Sequence, residues 1–221
     1  MRTRILAAIA VSSGLFAAPA SANAAVIFAN LGPGDTFDIF SYGFGRAPGV
    51  QHGYAGSAFI APGTFRLDDL TTAVNFFYNP PPASTQPFDI LVLSSSPEGR
   101  PASILESFEE VIDTPSSGHL VTFESVLHPT LIASSQYWIV ATAGSLTGSN
   151  IFGGWNMNSI GDVGPFFQTE DLNGSINVEN AVRPAFRVEG TAIPEVPEPS
   201  SLALVGVGVI GLSVLRRRQR A

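Results

Sequence analysis

The residues that could carry out chemistry are few, and they do not form a catalytic pattern. The three histidines, His52, His119 and His128, lack the close spacing that places two imidazoles on one metal ion. No G-x-S-x-G sequence is present to build the nucleophile turn of a serine hydrolase. Glycosidase chemistry needs two carboxylates that face each other across one bond, whereas adjacent acids on a strand point to opposite faces. We therefore expect the acid pairs to lie in solvated turns and not to act in catalysis. These pairs are Asp68 with Asp69, Glu109 with Glu110, and Glu170 with Asp171.

Two further patterns concern ligand binding. Asp171, Asn173 and Gly174 are spaced partly like a calcium loop, but the distant bidentate glutamate is missing, so an Asn-Gly turn is the favoured interpretation. Exposed aromatic side chains could stack on sugars, although core packing is the favoured role of tryptophan because Trp is highly buried on average. The aromatic candidates are Trp138, Trp155, Tyr42 and Tyr54, and among them Trp155 is the better candidate for a surface site because glycines flank it.

Composition excludes several classes of function. The chain of 221 residues contains neither Cys nor Lys, so disulfides, thiolate metal sites and a cysteine nucleophile are unavailable. All eighteen acids lie between residues 25 and 199, where only five arginines accompany them, and this charge disfavours nucleic acid as a partner. A G-x-G-x-x-G pattern from Gly206 to Gly211 lacks the acidic residue and βαβ unit of a dinucleotide site. We therefore expect no cofactor, no metal ion and no enzymatic activity.

The amino-terminal segment has the pattern of a secretion signal. Arg2 and Arg4 precede an apolar stretch from Ile5 to Ala18, and small residues for cleavage follow at Ala20 to Ala22 or Ala22 to Ala24. A short buried helix is the alternative. The pattern predicts a signal peptide over residues 1–24.

The carboxyl-terminal segment has three consecutive parts. A Pro-Glu-Pro segment, Val196 to Ser201, is followed by an apolar run, Leu202 to Leu215, and then by an arginine cluster, Arg216 to Arg220. Fourteen apolar residues span about 21 Å as a helix, less than the roughly 30 Å hydrocarbon core of a bilayer. The cluster would stay cytoplasmic, leaving the Pro-Glu-Pro segment outside that membrane. This pattern predicts a short transmembrane helix that serves as a provisional anchor.

This tail resembles the PEP-CTERM sorting signal. Pro197, Glu198 and Pro199 match its motif, and Arg216, Arg217 and Arg218 match its basic end. The resemblance implies processing by an exosortase, a membrane-embedded transpeptidase-like enzyme of Gram-negative bacteria that make extracellular polysaccharide. An ordinary uncut anchor is the alternative, since a bilayer can thin around a short span.

Between these ends, short β-prone runs alternate with Gly, Pro, Asn and Ser clusters, which favours an all-β domain over residues 25–193, with a sorting tail over residues 194–221. A jelly-roll-like β-sandwich fits best and an open barrel is second. A period of two places Thr72, Val74, Phe76 and Tyr78 on one face, and Phe88, Ile90 and Val92 on another. The predicted strands are Val26 to Ala29, Tyr54 to Ile60, Leu70 to Tyr78, Phe88 to Leu93, His119 to Phe123, Gln136 to Ala143, Ile151 to Trp155, Pro165 to Gln168 and Pro184 to Glu189.

Two connecting segments also carry predictions. Pro101 to Val111 has proline at a plausible first helical position and Ile104, Leu105 and Phe108 on one side, so it predicts one or two helical turns. Asn79 to Pro87 contains three successive prolines that cannot donate to a β-ladder, and it predicts a surface hairpin loop.

A second resemblance covers roughly residues 65–160. Their order of strands is similar to the choice-of-anchor domains common among PEP-CTERM proteins. Tyr137 with Trp138 and Gly154 with Trp155 fit that pattern, whereas the segment Glu98 to Pro101 replaces the usual turn. Those domains have no established catalytic residues, so the resemblance implies none here.

Together these patterns predict an exported, non-enzymatic surface or extracellular-matrix protein with a structural or adhesive β-sandwich. It would pass through an inner-membrane intermediate to the cell surface or biofilm matrix of a Gram-negative bacterium, with exosortase as its processing partner and polysaccharide as a further candidate partner. The alternative is a secreted carbohydrate-binding or glycoside-cleaving protein.

Overall fold

The structure, a computed structural model, describes residues 24–45, 53–77, 86–112, 118–142 and 152–194. Thirteen strands and no helix lie within these ranges. The predicted signal peptide and sorting tail fall outside them, apart from Ala24 and Pro194. The strands are β1 (Ala24–Ala29), β2 (Phe37–Gly45), β3 (Tyr54–Ile60), β4 (Phe65–Phe77), β5 (Gln86–Ser95), β6 (Pro101–Ile112), β7 (His119–Glu124), β8 (Thr130–Leu131), β9 (Gln136–Thr142), β10 (Phe152–Asn158), β11 (Val163–Thr169), β12 (Glu179–Val182) and β13 (Phe186–Ala192).

The strands form two antiparallel sheets packed face to face. Sheet 1 has the order β1-β13-β4-β10-β2, and β7 and β8 also pair with β4. Sheet 2 has the order β12-β11-β3-β9-β5-β6. The predicted all-β fold with two antiparallel sheets is confirmed.

The core between the sheets follows the two-residue period of the strands. Leu70 and Val74 of β4 face Ile90 and Val92 of β5 within one buried cluster, and fully burying each such side chain contributes about 1.5–3 kcal/mol. The intervening residue Leu91 points to the opposite face of sheet 2. The predicted common face of Phe88, Ile90 and Val92 is therefore confirmed.

The helix predicted from Pro101 to Val111 is wrong. The segment belongs to β6, which pairs with β5 from Gln86–Ile112 to Ser95–Pro101. Phe108 enters the core, whereas Ile104 stays exposed. Hydrogen bonding to most of β5 outweighs a local helical preference that rests on three apolar residues.

The hairpin predicted across Asn79 to Pro87 is also wrong, because β4 lies in sheet 1 and β5 lies in sheet 2. Residues 78–85, which connect these two strands, lie outside the described ranges. Strand β2 was not predicted, because its exposed Ile39 and Phe40 break the inward-outward alternation expected of a half-buried strand. The short strands β8 and β12 were missed as well.

A buried carboxylate joins the two sheets where the edge strand β6 meets the turn after β7. Glu106 is only 3% exposed. Its carboxylate accepts the Ser125 hydroxyl at 2.6 Å and the backbone N–H groups of Val126 and Leu127 at 2.6 and 3.0 Å. Val126 and Leu127 expose their side chains on the outside of this turn. Glu106 thus serves as the acceptor that orders the turn from Ser125 to Pro129.

Arg183 makes a second connection between the sheets. Its Nε and Nη2 atoms donate to both oxygens of Asp162 at 2.8 Å, and Nη1 donates to the carbonyl of Ala58 on β3 at 2.9 Å. The guanidinium carbon also lies 4.7 Å from the ring centroid of Phe28 on β1. A planar fork with this many fixed partners cannot be replaced by lysine without loss.

Candidate functional site

The outer face of sheet 2 carries a second, smaller apolar layer. Leu91 and Leu93 of β5 and Trp138 and Val140 of β9 are buried there, although the main core lies on the opposite face. The segment between β11 and β12 covers them, since Ile176 packs into the same cluster. The start of this segment, at Leu172 and Asn173, lies at the edge of an opening on the outer face of sheet 2.

A cleft of about 360 Å³ lies at that opening. Its apolar lining combines Leu91 and Leu93 with Ile104 of β6 and Leu172 of the covering loop. A volume of this size is at the lower end of small-molecule sites, which are typically apolar with a few placed polar groups.

The polar groups of the cleft stand in one row across four strands. The register pairs Tyr54 of β3 with Thr142 of β9, Thr142 with Asp89 of β5, and Asp89 with Glu109 of β6. Tyr54, Thr142 and Asp89 line the cleft together with Asn173. Burial, and secondly the negative charge of Glu109, raise the pKa of the Asp89 carboxyl above its usual 3.8. Two carboxylates directly opposite each other repel, so the pairing of Asp89 with Glu109 destabilises the sheet.

Both tryptophans are core residues, as the favoured interpretation predicts. Trp138 is fully buried in the second layer, with its ring centroid 5.2 Å from that of Phe167, and its indole N–H donates to Ser95. Trp155 is fully buried between the sheets and donates to the Ala185 carbonyl. Neither can stack on an external sugar in this structure.

The two tyrosine candidates differ in their surroundings. Tyr42 packs against Phe166 at a centroid distance of 3.9 Å and donates its hydroxyl to the Val182 carbonyl. Tyr54 lines the cleft. Of the four aromatic candidates, Tyr54 is the one that the structure places at an accessible site.

The histidines do not assemble. His119 begins β7, where burial lowers its pKa, and Nδ1 of His128 lies 2.9 Å from the Leu67 carbonyl in the turn after β7. His52 lies outside the described residues. Within the five described ranges, no group of three His, Asp or Glu side chains could hold a metal ion.

Two of the three adjacent acid pairs lie in strands β4 and β6, and not in the solvated turns expected for them. Asp68 accepts the Thr191 hydroxyl, while Asp69 on the outer face of sheet 1 is opposite Glu124 on one side and Glu189 on the other. Burial and the charges of Glu189, Glu124 and Asp68 raise the pKa of Asp69. Glu109 likewise faces Asp89, a residue twenty positions away. The close carboxylates are thus cross-strand pairs, which only the register reveals.

The segment resembling a calcium loop is a tight turn. Oδ1 of Asp171 accepts the backbone N–H of Asn173 at 2.9 Å, and the Asp171 carbonyl accepts the N–H of Gly174 at 3.3 Å. The carboxylate therefore stabilises its own turn, which is the usual role of Asp at this position.

The residues predicted for sorting, Pro197, Glu198, Pro199, Arg216, Arg217 and Arg218, lie outside the described ranges. Within those ranges no helix is both long and apolar enough to traverse a bilayer.

Comparison with known proteins concerns the carboxyl-terminal segment. No curated protein matches the chain. Residues 195–219 match the family model of the PEP-CTERM protein-sorting motif. This match includes the Pro-Glu-Pro residues, the apolar run and the first three arginines of the terminal cluster, and it ends at Gln219. The chain therefore carries a PEP-CTERM sorting motif, which indicates an exported protein that is sorted through the membrane and processed by exosortase.

Proposed function

We propose that this protein is a non-enzymatic component of the cell surface or extracellular matrix of a Gram-negative bacterium, with its β-sandwich acting as a structural or adhesive module. The observation that carries the proposal is the sorting motif beginning three residues after β13 ends at Ala192. Exosortase processing would release the sandwich from its membrane intermediate and leave it at the surface.

The side chains of the sandwich support a role other than catalysis. Trp138 and Trp155 are committed to packing, and the His128 ring is bound to a backbone carbonyl. Asp68 and Asp171 accept hydrogen bonds from their own sheet and turn. These groups are used to hold the fold.

The first experiment follows the tail. Surface-extracted protein is analysed by mass spectrometry from wild-type cells and from cells lacking exosortase, with a Pro197→Ala and Pro199→Ala double variant as the matched control. We expect wild-type protein to lack the apolar run, and both other samples to retain it in the membrane fraction. Surface protein from wild-type cells that still ends at Ala221 would overturn the proposal.

Carbohydrate binding is a second candidate function, favoured by the cleft on sheet 2. The ring of Tyr54 offers a stacking face, and Asp89 and Asn173 offer hydrogen-bond partners above a leucine floor. Sugars present the same mixture of apolar C–H faces and hydroxyl groups. Glycan-array binding followed by calorimetry with Tyr54→Ala and Asp89→Asn tests this, and Glu179→Gln on the edge strand β12 is the matched control. We expect loss of binding in the two cleft variants alone.

A reducing-sugar assay on the glycans that bind separates binding from cleavage. Release of reducing ends by the wild-type protein, abolished in Asp89→Asn, would assign hydrolysis to the cleft and contradict the non-enzymatic proposal. Binding without release fits an adhesive module.

A further inference from the structure

The point where the chain leaves the sandwich is at one end of the sheets, which we call the exit pole. It consists of three connections: Ile60 to Thr64, Ile132 to Ser135, and Ile193 with Pro194. Hydrogen bonds join them, since the N–H of Ile193 donates to the Thr64 carbonyl, and the N–H of Ala133 donates to the Thr64 hydroxyl. The N–H of Ser134 also donates to the Ala61 carbonyl at 2.8 Å.

The exit pole exposes three isoleucines. Ile60, Ile132 and Ile193 are 60%, 58% and 40% exposed. Single exposed apolar residues are ordinary, but three β-branched residues on hydrogen-bonded neighbouring connections form a local apolar rim. The three connections contain no charged residue, so they provide no charge that would favour an anionic or a cationic surface.

Both ends of the domain lie at this pole. Ala24, the first residue of β1, pairs with Thr191 of β13. The segment predicted as the signal peptide and the segment that matches the sorting motif therefore adjoin the sandwich side by side. Both contain apolar runs that are directed to the same membrane during export.

The connection from the pole to the apolar run is short. Eight residues lie between Ile193 and Leu202, and fully extended backbone covers at most about 30 Å over these nine residue steps. Strand β4, with thirteen residues, is about 44 Å long. Because this tether is shorter than β4, the sandwich cannot turn its opposite end onto the bilayer while the apolar run lies in the membrane.

We infer that the exit pole docks on the lipid headgroup surface while the tail is still uncut, with Ile60, Ile132 and Ile193 entering the boundary between headgroups and acyl chains. The inference rests on the proposed sorting through a membrane intermediate. Docking of this kind buries a few apolar side chains about 5–10 Å into the interface and is readily reversed. It would hold the Pro-Glu-Pro segment close to the membrane plane, where a membrane-embedded enzyme acts, and would be lost once the tail is removed.

The absence of cysteine makes the inference testable with a single label. The full-length chain carrying Ile132→Cys is labelled with an environment-sensitive fluorophore and reconstituted in phosphatidylcholine vesicles that contain brominated lipid as a quencher. Ser175→Cys is the matched control. Ser175 is exposed in the segment between β11 and β12, which covers the outer face of sheet 2 and is not one of the three connections of the exit pole.

We expect quenching at position 132 to exceed that at position 175 by about twofold or more, since quenching falls steeply beyond the interfacial layer. Adding Ile60→Ser and Ile193→Ser to the Ile132→Cys chain should abolish the excess. Unchanged fluorescence of the buried Trp138 and Trp155 shows that the fold is retained.

The remaining outcomes separate the inference from the proposed function. Protein that floats with the vesicles but shows equal quenching at both positions overturns docking and leaves membrane sorting intact. Protein that does not float overturns the membrane intermediate itself. A label at position 132 that is shielded without lipid quenching indicates a second copy of the chain at the pole and overturns the lipid assignment.

Discussion

Removing the buried carboxylate of Glu106 should destabilise the sandwich. Glu106→Ala deletes three hydrogen bonds to a charged acceptor, each worth about 1.5–3 kcal/mol when fully buried. Val126 and Leu127 lie in an exposed turn, so their freed N–H groups can reach water. We therefore expect a total loss of about 3 kcal/mol in the free energy of unfolding, below the sum of the three bonds. Glu106→Gln keeps an acceptor for both N–H groups and should lose only about 1 kcal/mol.

Urea unfolding measures these differences, and thermal unfolding provides a second estimate. For a domain of this size, about 3 kcal/mol corresponds to a fall in Tm of about 6–12 °C. Hydrogen exchange should accelerate at the amides of Val126 and Leu127 in the alanine variant. Glu109→Ala on the same strand is the control, since its side chain is exposed and faces a like charge. Equal stability of Glu106→Ala and Glu109→Ala, with unchanged exchange in the turn, would refute the role assigned to Glu106.

Three other substitutions test separate features of the sandwich. The pKa of the Asp89 carboxyl is raised in the folded state. The contribution of its protonated form to the free energy of unfolding is therefore fully present below pH 3.8 and is lost as the pH rises through the raised pKa. Asp89→Asn should therefore be more stable than wild type at pH 7, by about 0.5 kcal/mol, and the advantage should vanish at pH 3.5 in urea titrations. Arg183→Lys loses the bidentate contact and should cost about 2 kcal/mol, whereas no change at low salt would contradict the assigned geometry. A β-carbon at Gly56 would clash with the Phe167 ring, so Gly56→Ala should cost about 1–3 kcal/mol in thermal unfolding, and a rise in Tm would argue against that close packing.

The sequence predicted the fold class and the strands with strong alternation. The run from Phe88 to Leu93 is an example. Its residues Ile90 and Val92 face the core between the sheets, and Leu91 and Leu93 are buried on the outer face of sheet 2. The helix over Pro101 to Val111 was predicted wrongly because three apolar residues fit a helical stripe, and the partner strand that decides the matter is distant in sequence.

The cleft could not be predicted, because its lining comes from strands and a loop that only the register brings together. Asp89 interrupts the apolar run of β5, and this was the one local signal of an outward polar group. That Glu109 lies opposite depends on pairing across twenty residues. The sorting motif was predictable for the opposite reason, since its parts are contiguous and need no tertiary structure.

The pairing of β1 with β13 also constrains the order of events during secretion. Ala24 begins the first strand of the domain, yet its partner Thr191 follows 167 residues later in the chain. Sheet 1 therefore cannot be completed while the polypeptide is still being threaded, and long-range pairing of this kind is intrinsically slow. The closing strand β13 is therefore among the last parts of the domain to be exported, and it immediately precedes the sorting motif at residues 195–219. The last step of folding thus waits until nearly the whole domain has been exported.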